Sequence, residues 1–240
     1  MKYIQKAGCP HAYSQWCSTV AGTDKSDWRE VPAAQKGELL AAMIAEQGQL
    51  CAYTMRRIDN DSSHVEHIKP QSRCRVDLPG SDLDYRNLVA CFPRNGMKGM
   101  YRYGAQRKEG WWENDGTEFV SPLQATCERF FRFGLDGSIA AIGNRAAAAR
   151  STIEVLALDH ESLAEDRKRV VEEFIYGPRG DDPMSPANAR RARDTVCGRD
   201  GHDRFYEFCV AIRDALDGHL TALARLGQRR KAARRNRSRV

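Results

Sequence analysis

One stretch constrains this chain more than any other. It opens His64-Val65-Glu66-His67-Ile68-Lys69-Pro70-Gln71-Ser72 and crosses a polar loop. It then continues Asp84-Tyr85-Arg86-Asn87-Leu88-Val89-Ala90-Cys91 and closes Pro93-Arg94-Asn95. Val65 and Ile68 are strand-type residues, and Pro70, which cannot donate to a ladder, stops the run. In the two-residue period of a strand His64 and Glu66 point to one face. His67 stands next to the break, where the bend can turn it to join them. Leu88-Val89-Ala90 reads as the returning strand, and Pro93 suits the first turn of a helix. Two imidazoles and a carboxylate therefore share one hairpin arm, with Asn95 where the next helix would begin. Such a β-β-helix cradle suits one hard metal ion and one general base.

At these residues the sequence resembles the HNH, or ββα-metal, nucleases. The match is Glu66-His67-Ile68-x-Pro70, then Asn87-Leu88, then Asn95 with Lys98-Gly99 after it. The resemblance implies an α+β fold, a ββα-metal core embedded in a mainly helical scaffold. It also implies roles: His67 as the base that activates water, Glu66 and Asn95 as ligands of a divalent cation, and Asn87 as the brace of the loop that orients the base. His64 matches a position that is sometimes acidic in the family and becomes a further ligand. A narrower resemblance is to the HNH subunit of Septu-type anti-phage systems, which also accompanies some retrons. Its cues are Cys51-Ala52-Tyr53-Thr54, the run Glu66–Ser72, Leu83-Asp84-Tyr85-x-Asn87-Leu88 and Thr152-Ile153-Glu154-x-Leu156-x-Leu158. That resemblance implies a defence role beside an ATPase subunit. This chain has no Gly-x-x-x-x-Gly-Lys-[Ser/Thr] loop, so the ATP chemistry would belong to the partner.

The chemistry explains the residue types. Hydrolysis of a phosphodiester needs a deprotonated water in line with the leaving oxygen. A neutral imidazole, with its unperturbed pKa of ~6.5, can take that proton. A hard cation neutralises the developing charge and prefers oxygen ligands, which favours Glu66, the Asn95 amide and Mg²⁺. Imidazole at His64 biases the site toward Mn²⁺ and softer ions.

Composition sets outer limits. The chain has 240 residues, 41% of them hydrophobic and 29% charged. That suffices for a core, and no window approaches the ~18 apolar residues of a membrane span. The start, Met1-Lys2-Tyr3-Ile4, lacks the apolar stretch of a signal peptide, so the expected location is cytoplasmic, with no membrane partner. The eight cysteines show no Cys-x-x-Cys spacing and read as reduced thiols. Many HNH proteins hold a structural zinc on two such knuckles. Here Cys51 and Cys91 each lack their second thiol, with Thr54 and Arg94 in its place, so no structural zinc is expected.

In chain order, residues 1–49 read as a helical segment with apolar faces at Tyr13, Trp16 and Cys17 and at Leu39, Leu40, Met43 and Ile44. Residues 50–110 are the nuclease core, entered by an alternating Cys51, Tyr53, Met55 strand. Gly96, Gly99 and Gly104 shorten any helix beyond Asn95. Residues 111–176 read as mixed scaffold, with a hairpin turning at Asp136-Gly137 and helices over 144–156 and to about Tyr176. Residues 177–226 are a Pro/Gly linker and a last helix from about Gly201, packed on the body or on a partner.

The final segment, 227–240, is a basic tail expected to be disordered. Its seven basic residues between Arg229 and Arg239 exceed the net charge of +6, so the rest of the chain is close to neutral. Attraction to DNA, with RNA as the alternative, must then come from the tail, from a partner or from local patches. Arg57, Lys98 and Arg102 are the candidate substrate contacts. The rival to a nuclease is a non-cleaving nucleic-acid-binding or structural subunit with a degenerate ββα unit.

Overall fold

The computed structural model describes residues 1–94, 96–97, 101–180 and 183–237, with only the backbone described over 230–237. Asn95 and Lys98 lie outside the described residues. The fold mixes helix with two small antiparallel sheets.

Two helices precede the hairpin, α1 (His11–Val20) and α2 (Ala33–Glu46). α2 buries Leu39, Met43 and Ile44, spaced four and one apart on one face. Each contributes roughly 1.5–3 kcal/mol of burial. The chain leaves α2 through Gly48 at φ 58°, a left-handed conformation that glycine adopts without strain.

The hairpin is β1 (His64–His67) against β2 (Leu88–Cys91), with His64 opposite Cys91 and His67 opposite Leu88. All four β2 residues are buried, so it is a core strand, as its apolar run suggests. Between the strands lies a short helix, α3 (Gln71–Asp77), where the sequence suggested a plain loop. Pro70 starts it: its carbonyl accepts from Arg73 N and Cys74 N. Only Cys74 of α3 is buried, so there was no apolar stripe to read.

Two expectations around the hairpin fail. Residues 51–54 form a turn rather than a strand, closed by Met55 N donating to Cys51 O. Met55 sits at φ 63°, outside strand geometry. The turn wraps Cys51, whose sulfur accepts from Phe92 N at 3.3 Å. Nor does Pro93 open a helix. Its carbonyl is taken by the His64 ring, and Gly96 at φ 95° leaves helical space. Among the described residues the next helix is the four-residue α4 (Ala105–Lys108).

A second hairpin, β3 (Phe131–Phe133) and β4 (Ile139–Ala141), turns at Asp136-Gly137 as expected. A Cβ on Gly137 would stand 1.9 Å from the Ala164 carbonyl oxygen, so this turn is pressed directly onto a helix backbone. That helix is α6 (Glu161–Tyr176), preceded by α5 (Ala146–Leu156). Buried Arg167 of α6 donates Nε–H to Gly137 O at 2.8 Å and locks the contact.

Beyond the Pro/Gly linker lies α7 (Pro186–Thr195), a polar helix with only Ala189 buried. It packs on α8 (Cys209–Arg237), which starts eight residues later than the Gly201 expected. Cys209, Val210, Ala211, Ile212, Ala215 and Leu216 are all buried, so this half of α8 belongs to the core rather than to a partner face. The α8 backbone continues to Arg237, well past Leu226, so the basic segment begins as helix and not as coil. Its Ala, Leu, Lys and Arg content supplies the helical propensity.

Candidate active site

His64, Glu66 and His67 open onto one cavity of about 1130 Å³. Its walls come from Trp28, from Gln71 and Ser72 of α3, from Tyr101 and Arg102, from Ala105 to Arg107 of α4, and from His160 at the start of α6.

His67 is the most tightly held of the three. It is buried, and its Nε2 lies 2.9 Å from the Asp82 carbonyl. A carbonyl only accepts, so Nε2 carries the proton and Nδ1 keeps the lone pair of the neutral ring. Burial lowers the His67 imidazole and outweighs the Asp82 carbonyl and the Glu66 charge, which raise it. The ring is thus neutral near pH 7. The side-chain nitrogen of Gln71 stands 3.4 Å from Nδ1. Gln71 is oriented in turn, because its Oε1 accepts from Arg75 Nη2 at 3.0 Å.

Around this histidine is a tier that the sequence did not announce. The Trp28 ring meets the His67 ring edge to face, centroids 5.0 Å apart and planes at 83°. Trp28 N donates to Asp82 Oδ2 at 3.0 Å. Arg75 Nε lies 2.9 Å from Asp27 Oδ2 and 3.5 Å from Asp82 Oδ2. The segment before α2, α3 and the turn at Asp82 therefore grip one imidazole together. Asp82 is fully buried, and neither its partner Trp28 nor Asp27, with which it shares Arg75, belongs to a motif.

Glu66 and His64 form the neighbouring pair. His64 Nδ1 bonds to Pro93 O, which directs Nε2 toward Glu66, with Oε2 3.8 Å away. Burial pushes the Glu66 carboxyl up, but His64 and Lys108 more than offset it and hold the group below the ordinary carboxylate range. Burial lowers the His64 ring, but its bond to Glu66 and the Glu66 charge raise it further, so the net direction is up.

The largest surprise is Lys108. In sequence it reads as one more basic residue of a substrate patch with Lys98, Arg102 and Arg107, against the alternative of a solvated loop. Its side chain is instead completely enclosed, and Nζ donates to Glu66 Oε1 and to His67 O, both at 3.0 Å. Only its position at the end of the four-residue α4 puts it there.

Asn87 lies where a loop brace belongs. Its Oδ1 accepts from Lys69 N at 2.7 Å and its Nδ2 donates to Lys69 O at 2.9 Å.

The substrate candidates divide. Arg102 is exposed on the cavity wall, and Arg107 joins it there. Arg57 does not reach the site, which corrects its assignment. Its guanidinium donates to the carbonyls of Gly48, Gln49 and Phe205, tying the end of α2 to the entry of α8. Three inward-facing carbonyls form a better home for a guanidinium than open water does, which is why the cation turns away from the cavity.

A divalent cation could use two described atoms here, His64 Nε2 and Glu66 Oε2. Among the described residues no group of three His, Cys, Asp or Glu side chains converges on one point. The pair fits a cation as part of a ligand set that needs a further donor, and its mixed nitrogen and oxygen chemistry suits Mn²⁺ as well as Mg²⁺. Cys51 and Cys91 are both buried, while Arg94 is exposed.

With that geometry in place, relatives can be compared. The chain is similar to a curated protein. It is 32% identical over 135 residues to "Retron Vc95 putative HNH endonuclease" of Vibrio cholerae serotype O1 biovar El Tor. The match covers 54% of this chain and 62% of that protein. The chain thus spans less than two thirds of that protein's length. No protein-family profile matches the chain. Among the described residues no helix is long and apolar enough to cross a membrane.

Proposed function

We propose that this chain is a metal-dependent HNH endonuclease that hydrolyses nucleic-acid phosphodiesters, DNA in the first instance. The observation that carries the reading is His67: a neutral, buried imidazole with one nitrogen fixed on Asp82 O and the other beside the Gln71 side chain, on the wall of a cavity that also holds the Glu66–His64 pair. In this reading His67 Nδ1 takes a proton from water as the water oxygen bonds to phosphorus. The bond to the leaving ribose oxygen breaks on the opposite side, and solvent protonates that oxygen. Nε2–H stays on Asp82 O throughout, so the imidazolium is formed already oriented. A divalent cation, held by Glu66 and His64 with Asn95 as the third donor, would neutralise charge on the phosphate and leaving oxygen. Arg102 and Arg107 hold the flanking phosphates.

The likeness to Septu-type subunits and the retron relative extend the proposal to a defence complex with an ATPase subunit. Its docking region would be the half of α8 beyond Leu220, because the first half is enclosed in the fold. The rival reading, a non-cleaving binding subunit, has one observation in its favour, the Lys108 ammonium already seated on Glu66.

Plasmid nicking with Mg²⁺ or Mn²⁺, with and without EDTA, separates the two. Wild type should nick in a metal-dependent way. His67→Ala should lose activity by about 10²-fold or more while retaining its fold and its metal affinity. Wild-type rates in a folded, metal-loaded His67→Ala protein would refute the assignment.

A further inference from the structure

The geometry points to Lys108 as a positioning residue that restricts Glu66 to a one-oxygen metal ligand and keeps the cation site weak. The inference rests on the proposed metal site and adds a residue that no motif contains.

Glu66 has two oxygens with different neighbours. Oε1 accepts from Lys108 Nζ at 3.0 Å, whereas Oε2 faces His64 Nε2 at 3.8 Å. The ammonium cannot drift away as a surface lysine would. Its side chain has no exposed area, and a second bond, to His67 O at 3.0 Å, pins it. Any cation on Oε2 therefore shares its carboxylate with a fixed positive charge one carboxyl group away. Two effects follow. A chelate using both Glu66 oxygens is blocked, so the ion keeps a coordination position for water or phosphate. The attraction of the only described carboxylate in the pair is also largely cancelled, and in an enclosed site like charges repel strongly. A lysine that served only to hold the fold would act in the opposite sense, because its loss would loosen Glu66 and weaken metal binding.

Calorimetric titration of the full chain with Mn²⁺, without nucleic acid, distinguishes these roles. Lys108→Met and Lys108→Gln remove the charge, and the glutamine keeps a donor for His67 O. Both should bind Mn²⁺ about tenfold more tightly than wild type. Lys108→Arg, which keeps the charge, should stay within about threefold of wild type. Equal or weaker binding in the neutral variants, with Glu66→Ala still abolishing binding, would overturn the role of Lys108 and leave the metal site standing. Wild-type protein that binds no Mn²⁺, or a Glu66→Ala protein that binds as well as wild type, would overturn the site and this inference with it. If neither neutral variant folds, wild-type protein carrying ¹³Cε-lysine decides the matter. Saturating Mn²⁺ should broaden the Lys108 Cε resonance strongly, and a sharp resonance would show that the ion does not sit beside the ammonium.

Discussion

Asn87 and the backbone of Lys69 close a two-bond ring: Lys69 N donates to Oδ1 at 2.7 Å, and Nδ2 donates to Lys69 O at 2.9 Å. Ile68 N also donates to Asn87 O. The loop that follows His67 is thus clipped to the residue just before β2. Asn87→Ala removes both bonds to Lys69 and the weaker one from Nδ2 to Cys74 Sγ, and should cost about 2 kcal/mol of stability. Asn87→Asp keeps only the acceptor and should fall between. Thermal melts and nicking rates on the three proteins check this. A Leu-like tolerance at this position, with unchanged melting and rate, would mean that the clip carries nothing.

Arg57 gives a test of the correction made above. Its guanidinium satisfies three backbone carbonyls, so Arg57→Met should lower stability by roughly 2–3 kcal/mol. Affinity of the folded protein for nucleic acid should not change. Denaturant unfolding and an anisotropy titration together measure this, and a large loss of affinity with no loss of stability would restore Arg57 to the substrate surface.

Acid sensitivity should concentrate at Asp27. The bond from Arg29 holds its carboxyl well below the usual range, and it also pairs with Arg75. A carboxylate whose pKa is depressed by folding stabilises the fold above its unfolded value of ~3.9, and that contribution is lost as pH falls below it. Wild-type melting temperature should therefore drop more steeply below about pH 4 than that of Asp27→Asn. Parallel pH profiles for the two proteins would show that the Asp27 pairs do not matter for stability.

The basic segment is the last test. Deleting residues 228–240 should lower affinity for nucleic acid of any sequence and flatten its salt dependence, because fewer counterions are released on binding. Single-turnover cleavage of substrate already bound should be unchanged. Equal salt slopes for full-length and truncated protein would assign the segment to an acidic partner surface instead.

The sequence made the hairpin legible because its pattern is local. The alternation His64-x-Glu66, the break at Pro70 and the apolar run from Leu88 each act within a few residues. Asn87 owes its expected role to the family resemblance, and the structure puts its side chain on the Lys69 backbone. The enclosure of Lys108, the grip on Asp82 and the contact of Trp28 with His67 were not legible. They join residues 42, 15 and 39 positions apart, and nothing in the intervening composition marks them. Arg57 misled for the same reason. A basic residue near a motif looks like a phosphate contact until the carbonyls it will meet, at Gly48 and Phe205, are known. α3 and α7 escaped because a helix burying one residue leaves no stripe.

The wall that Trp28 builds against His67 bears on what can be moved between proteins. The hairpin supplies the reacting groups, but the indole edge comes from the segment before α2, and the ring's anchor comes from the turn after α3. Grafting residues 64–91 onto another scaffold would carry the motif and the Asp82 anchor and leave behind the indole edge that walls its histidine. Portability here belongs to the hairpin together with the distant Trp28 segment, so a motif match elsewhere should be weighed by whether an aromatic wall comes with it.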